Sequence, residues 1–259
     1  MPNFRNDLKR ALGWPWILAV LIVWMAMIVA NLQALGNHLF TERVDAISVM
    51  VNAFHKSSIL PLGLLAVACP YASSYLQDEK SGYAKYQLAR SGYRPYILSK
   101  FAANAIAGAT ALCFAQVTFL VFSVLCFPYP DVGYYKLVAR GEAMETLFYT
   151  SPFFYFMALI GIQSLSSMAW SSLALGLSGY IRNEYISICV PFLVFTLITA
   201  LSGVNRFFEE IFYACWFTYD AMLMENTWVW RVCVYLAFFS LMLGAAYVLF
   251  SKRVRRFYG

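Results

Sequence analysis

The chain has 259 residues, of which 61% are hydrophobic, 18% aromatic and only 12% charged, with a formal net charge of +6. Soluble domains average about 25% charged residues, so a soluble globular fold is excluded and a polytopic membrane protein is expected. The six cysteines stand singly with no CxxC pair, and His38 and His55 have no ligand constellation around them, so neither a zinc site nor a disulfide framework is signalled.

The first dozen residues read as an amphipathic helix. Phe4, Leu8 and Leu12 recur at i, i+4 and i+8, with Arg5, Lys9 and Arg10 off that stripe. Such a helix rests in the membrane interface. Six apolar runs then reach the roughly 20 residues needed to cross a bilayer. They cover 15–35, 57–76, 96–127, 152–180, 185–203 and 229–250. The expected fold is therefore all-α, a single transmembrane domain over 1–259 with six spans. The first run is long and no small-residue cleavage site follows it, so it is expected to remain as a span.

With both termini inside, the inner segments hold Arg5, Lys9, Arg10, Lys80, Lys85, Arg90, Arg94, Lys100, Arg182, Lys252, Arg253, Arg255 and Arg256. The outer segments hold Arg43, Lys56, Lys136, Arg140, Arg206 and Arg231. This bias places both termini in the cytoplasm. It reads the positive charge as membrane orientation rather than nucleic-acid binding, with the basic C-terminal tail facing anionic headgroups.

One long charged loop, Asp78–Lys100, joins spans two and three. Ser81-Gly82 ends the second span, because glycine breaks the helix and lets the chain turn. Tyr83–Arg90 is then expected as a surface helix of about two turns, with Tyr83, Tyr86 and Arg90 on one face at i, i+3 and i+7. Tyrosine and arginine are enriched at protein interfaces, which makes this face a docking candidate. Arg94-Pro95 is expected to end the helix, and Lys100 to mark entry of span three into the membrane.

Span three carries Ala103, Ala107, Ala111 and Ala115 at i, i+4 spacing, a pattern for close helix packing within the subunit or across a dimer. Asn104 and Gln116 lie beside it and need partners. Span four is rich in hydroxyls. Gln163, Ser164, Ser167 and Ser171 read either as interhelical hydrogen-bonding groups or as a mildly polar wall of a substrate route. The stretch from Val204 to Trp228 mixes aromatic and acidic residues. It reads as short re-entrant helices or as an interfacial aromatic belt. No acid or base falls near the middle of a span, which disfavours ion-coupled transport. No HExxH or acid pair within a span signals an intramembrane enzyme, and no GxxxxGK[ST] loop signals a nucleotide site.

The run Gly82-x-x-Lys85-x-x-Leu88-Ala89-Arg90-x-x-x-Arg94-x-Tyr96-x-Leu98-Ser99-Lys100 resembles the coupling segment of permease subunits from ATP-binding-cassette (ABC) exporters of the type-two class, closest to small permeases of Gram-positive bacteria. Asp78 and Glu79 match the acidic residues that precede the glycine in that family. The resemblance implies a cytoplasmic coupling helix between spans two and three, with Asp78, Glu79, Gly82, Tyr83, Lys85, Tyr86, Arg90 and Arg94 coupling to an ATPase. It implies two separate ATPase subunits that hold the ATP and magnesium, a second permease subunit, and a bacterial plasma-membrane location. No cofactor is expected on this chain. The substrate expected is amphipathic, a peptide before a lipid or hydrophobic antibiotic. The rival reading is a membrane immunity or sensor protein that sequesters a peptide without transporting it.

Overall fold

The computed structural model describes residues 2–36, 44–55, 59–129, 151–181, 183–202 and 228–258. These residues are helical apart from turns and short connections, with no strand among them. In chain order the helices are α1 (Pro2–Ala11), α2 (Trp14–Leu35), α3 (Ala46–His55), α4 (Ile59–Ala68), α5 (Ser74–Lys80), α6 (Tyr83–Ser91), α7 (Tyr93–Cys126), α8 (Pro152–Ser178), α9 (Glu184–Ser202) and α10 (Trp228–Tyr258). Five of them, α2, α7, α8, α9 and α10, are long and apolar enough to cross a membrane. The protein is thus a helical membrane protein.

The expected second span, 57–76, is not one helix. The ten-residue α4 stops at Ala68, a turn occupies 69–73, and α5 begins at Ser74. Pro70 accounts for the break, since it lacks the N–H that would continue the helical ladder and it disfavours helical backbone at Cys69. The predicted re-entrant segment 204–228 lies almost wholly outside the described residues, as does most of the loop from 128 to 151.

The interior is built around α7 and α8. Trp170, Phe119, Leu112 and Ala111 from these helices form one cluster with Met27 of α2, Met50 of α3, Leu64 of α4, Phe195 of α9 and Phe239 of α10. Because lipid tails are as apolar as leucine, such a core is held by close packing and interhelical hydrogen bonds. Both are present. Ala103, Ala107, Ala111 and Ala115 have no exposed surface, so the small-residue stripe packs inside the subunit. An added Cβ on Gly108 would lie 2.6 Å from Ser171 Oγ, and one on Gly176 would lie 2.8 Å from the carbonyl oxygen of Ala246. These two positions bring α8 against α7 and α10. Trp16 and Trp24 of α2 donate their indole N–H groups to Thr110 and Thr118 of α7 at 3.2 and 2.8 Å. The Tyr235 hydroxyl of α10 donates to the Ile162 carbonyl of α8 at 3.1 Å.

Candidate functional site

The helix α6 follows Gly82, whose φ of 74° lies in the left-handed region, and is closed by Gly92 at φ 77°. Such backbone is open to glycine at little cost and strained for other residues. The break expected at Arg94-Pro95 falls at Gly92 instead. Pro95 sits in the first turn of α7, where its missing N–H removes no helical hydrogen bond.

Between the two glycines the expected face forms. Tyr83 is 44% and Tyr86 76% exposed, and Lys85 and Arg90 are exposed with them. The opposite face, Ala84 and Leu88, packs into a cluster with Tyr75, Tyr96, Ile97, Leu175, Phe250 and Val254. One side of α6 is thereby tied to α5, α7, α8 and α10, and the other presents two tyrosines and an arginine outward.

Beside α6 lies a buried charge cluster that the sequence reading missed. Lys100, in the second turn of α7, has 0% exposure, Asp7 of α1 has 1% and Asp78 of α5 has 2%. Lys100 Nζ is 2.5 Å from Asp78 Oδ2 and 3.1 Å from Asp7 Oδ1. It also donates to the Tyr71 hydroxyl at 2.8 Å and lies 4.9 Å from the centre of that ring. Tyr71 and Ser99 both donate to Asp7, the former at 2.6 Å. Arg10 Nη1 closes the far side of Asp78 at 3.0 Å. Burial opposes the Arg10 charge, but Asp78, Tyr71 and Asp7 together outweigh it and raise the guanidinium pKa above its ordinary value. Two carboxylates are thus matched by two cations, which is what permits burial of charge. The cluster joins α1, the α4–α5 turn, α5 and α7 at one end of the molecule.

The remaining candidates separate. Asp78 points inward to this cluster rather than outward. Glu79 is half-buried, with Oε1 3.8 Å from Arg253 Nη2 of α10. Lys80 Nζ reaches Glu184 of α9 at 2.7 Å. Arg94 is exposed and lines a different cleft from the one beside Tyr83 and Tyr86. That second cleft, of about 480 Å3, runs between α1 and α6 and is lined by Arg10, Asp78, Ser81, Tyr83 and Tyr86.

In span four, Gln163, Ser167 and Ser171 are buried and Ser164 is half-buried. The hydroxyls donate to main-chain carbonyls: Ser164 to Ile160 at 2.7 Å, Ser167 to Ser164 at 2.8 Å and Ser171 to Met168 at 3.2 Å. Gln163 accepts from the Gln116 amide of α7. The serine bonds named run within α8 itself, while the Gln116–Gln163 bond and a 3.5 Å contact from Ser171 Oγ to the Asn104 carbonyl cross to α7. Asn104 is 1% exposed and its side-chain amide has no hydrogen-bond partner among the described residues.

One member of the missed cluster left a signal in the sequence. Asp7 stands at i+3 from Phe4 and four before Ala11, on the inward side of the predicted α1 helix. In comparisons with protein-family models, curated proteins and solved structures, the chain matches none.

Proposed function

We propose that the chain is the membrane-spanning permease subunit of an ATP-driven exporter of the ABC type-two class. A separate ATPase docks on the Tyr83–Tyr86–Arg90 face and hydrolyses the ATP. The observation that carries this reading is the arrangement of α6: a short, glycine-bounded helix with an interface-type outer face and an inner face fixed to the membrane helices. A docked partner that shifts α6 would push on α5, α7, α8 and α10 together. The cleft between α1 and α6 offers the adjoining hollow into which a partner's side chains would reach.

On this reading the chain spans a bacterial plasma membrane six times, with the interrupted 57–76 segment as the second crossing and both termini in the cytoplasm. Two permeases and two ATPases form the working unit. The permease itself carries out no catalysis. The substrate is amphipathic, a peptide in the first instance, because the spans offer aromatic, hydroxyl and apolar groups rather than charge at depth.

The test is affinity purification of the tagged chain from its native membrane, with co-purifying chains identified by mass. A stoichiometric ATPase chain is the expected result. A permease free of any ATPase, under detergents that preserve such complexes, would overturn the exporter reading in favour of a protein that sequesters a peptide.

A further inference from the structure

At the same end of the molecule as α6, but on a separate surface, the first turn of α7 and the last turns of α10 enclose an open cleft of about 620 Å3 lined by Tyr93, Arg94, Pro95 and Arg255. The two helices meet one level deeper, where the Phe101 and Tyr247 rings pack edge to face with centroids 5.5 Å apart. Arg94 lies seven residues before Phe101 and Arg255 eight residues after Tyr247. In antiparallel helices both arginines therefore project about two turns beyond that ring pair, on the same side. Both are exposed, and neither has a carboxylate partner among the described residues. By contrast Arg10, Lys80, Lys100 and Arg253 each have an acid.

We propose that this cleft is a binding site for the phosphate of an anionic phospholipid headgroup. Two unpaired guanidiniums converging on one hollow supply the planar, bidentate donors that phosphate oxygens take. The depth fits a lipid rather than a soluble ligand. Tyr93 opens one apolar membrane-crossing helix and Arg255 lies in the last turn of another, so the cleft sits at the end of two spans. One turn along α7 from Arg94, Leu98 is an exposed apolar residue, as is Val248 two turns before Arg255 on α10, and both suit acyl chains. Tyrosine is the residue type enriched at this layer. The proposal needs only that α7 and α10 cross a bilayer. It does not depend on an ATPase or on transport, so it can fail while the exporter reading stands, and the reverse.

The experiment uses the purified full chain in detergent and titrates short-chain phosphatidylglycerol against short-chain phosphatidylcholine, followed by tryptophan fluorescence and native mass spectrometry. The expected result is retention of phosphatidylglycerol over phosphatidylcholine, a loss of roughly tenfold or more in affinity in R94Q/R255Q, and little change in K252Q/R256Q. The last pair removes the same total charge, both from the end of α10 beside the cleft, without lining it. Equal weakening in both double variants would reduce the effect to diffuse surface charge and overturn the site. Inorganic phosphate that displaces the lipid at low millimolar concentration would overturn the lipid as ligand in favour of a soluble phosphate compound. The headgroup comparison on the unmodified chain decides the matter even if R94Q/R255Q fails to fold, since equal binding of both lipids would also overturn it.

Discussion

Lys100 Nζ lies 2.5 Å from Asp78 Oδ2 with both side chains buried, and this contact fastens the start of α7 to the helix that leads into α6. Through Asp7 the same ammonium also holds the N-terminal helix. The one ammonium thus ties α1, α5 and α7 together beside α6.

Lys100→Met is expected to be strongly destabilising. Removing one partner of a buried pair costs about 3–5 kcal/mol because the other charge stays behind unpaired. Here Asp7 and Asp78 would face Arg10 alone. The double variant D7N/K100M leaves Asp78 with Arg10 and a balanced cluster, so it should recover much of the loss. Thermal unfolding of K100M, D7N and the double variant in detergent checks this. A double variant as weak as the sum of the single changes would show that charge balance is not what holds the cluster.

The triple variant Y83A/Y86A/R90A is expected to separate docking from folding. All three side chains are exposed, and substitutions at such positions usually stay within about 0.5 kcal/mol of the parent. Leu88→Ala, on the packed side of the same helix, should instead cost about 2 kcal/mol or more. If α6 is the docking helix, the triple variant melts like the parent while its ATPase binding and ATP-driven transport fall away. Unchanged assembly and transport would remove α6 from the coupling role.

What could be read in advance was what periodicity reports. The spacing of Tyr83, Tyr86 and Arg90, and the alanines of span three, each declare a helical face, and those faces formed. The buried cluster was hidden because its members are scattered along the chain at positions 7, 10, 71, 78, 99 and 100. Asp78 was read as part of the coupling loop and Lys100 as the usual cation at a span entrance, and the others looked locally ordinary. Only packing of α1 against α7 turns an acid inside an amphipathic stripe into the partner of that lysine. The apolar face of α1 shifts accordingly: Asp7 and Ala11 are buried, Phe4 and Leu8 half-buried, and Leu12 is exposed. The interruption at 69–73 was marked by Pro70, a signal that hydropathy alone passes over.

Labelling is expected to fix the orientation that the basic residues imply. Tyr86 and Tyr129 are both exposed and lie near opposite ends of α7. In a background without the native cysteines, Tyr129→Cys should react with a membrane-impermeant maleimide on intact cells. Tyr86→Cys should react only after the membrane is opened. The reverse pattern would put α6 outside the cell and end its candidacy as an ATPase dock.

Gly108→Ala tests the α7–α8 contact. Its new methyl group would fall 2.6 Å from Ser171 Oγ and 2.8 Å from Ser171 Cβ, with the Val67 carbonyl oxygen at 3.2 Å. Overpacking of this kind typically costs about 1–3 kcal/mol. Ser171 is also on the helix whose hydroxyls had two readings, interhelical ties or a route for substrate. Removing the obstructing side chain with Ser171→Gly should restore part of the lost stability in the double variant G108A/S171G, measured as a recovered melting temperature. The coupling arises only if the two residues touch across the helix pair, so strictly additive losses would show that α7 and α8 are not packed through this point. Recovery would favour the packing role for Ser171, because a residue lining an open route has room for a methyl group opposite it.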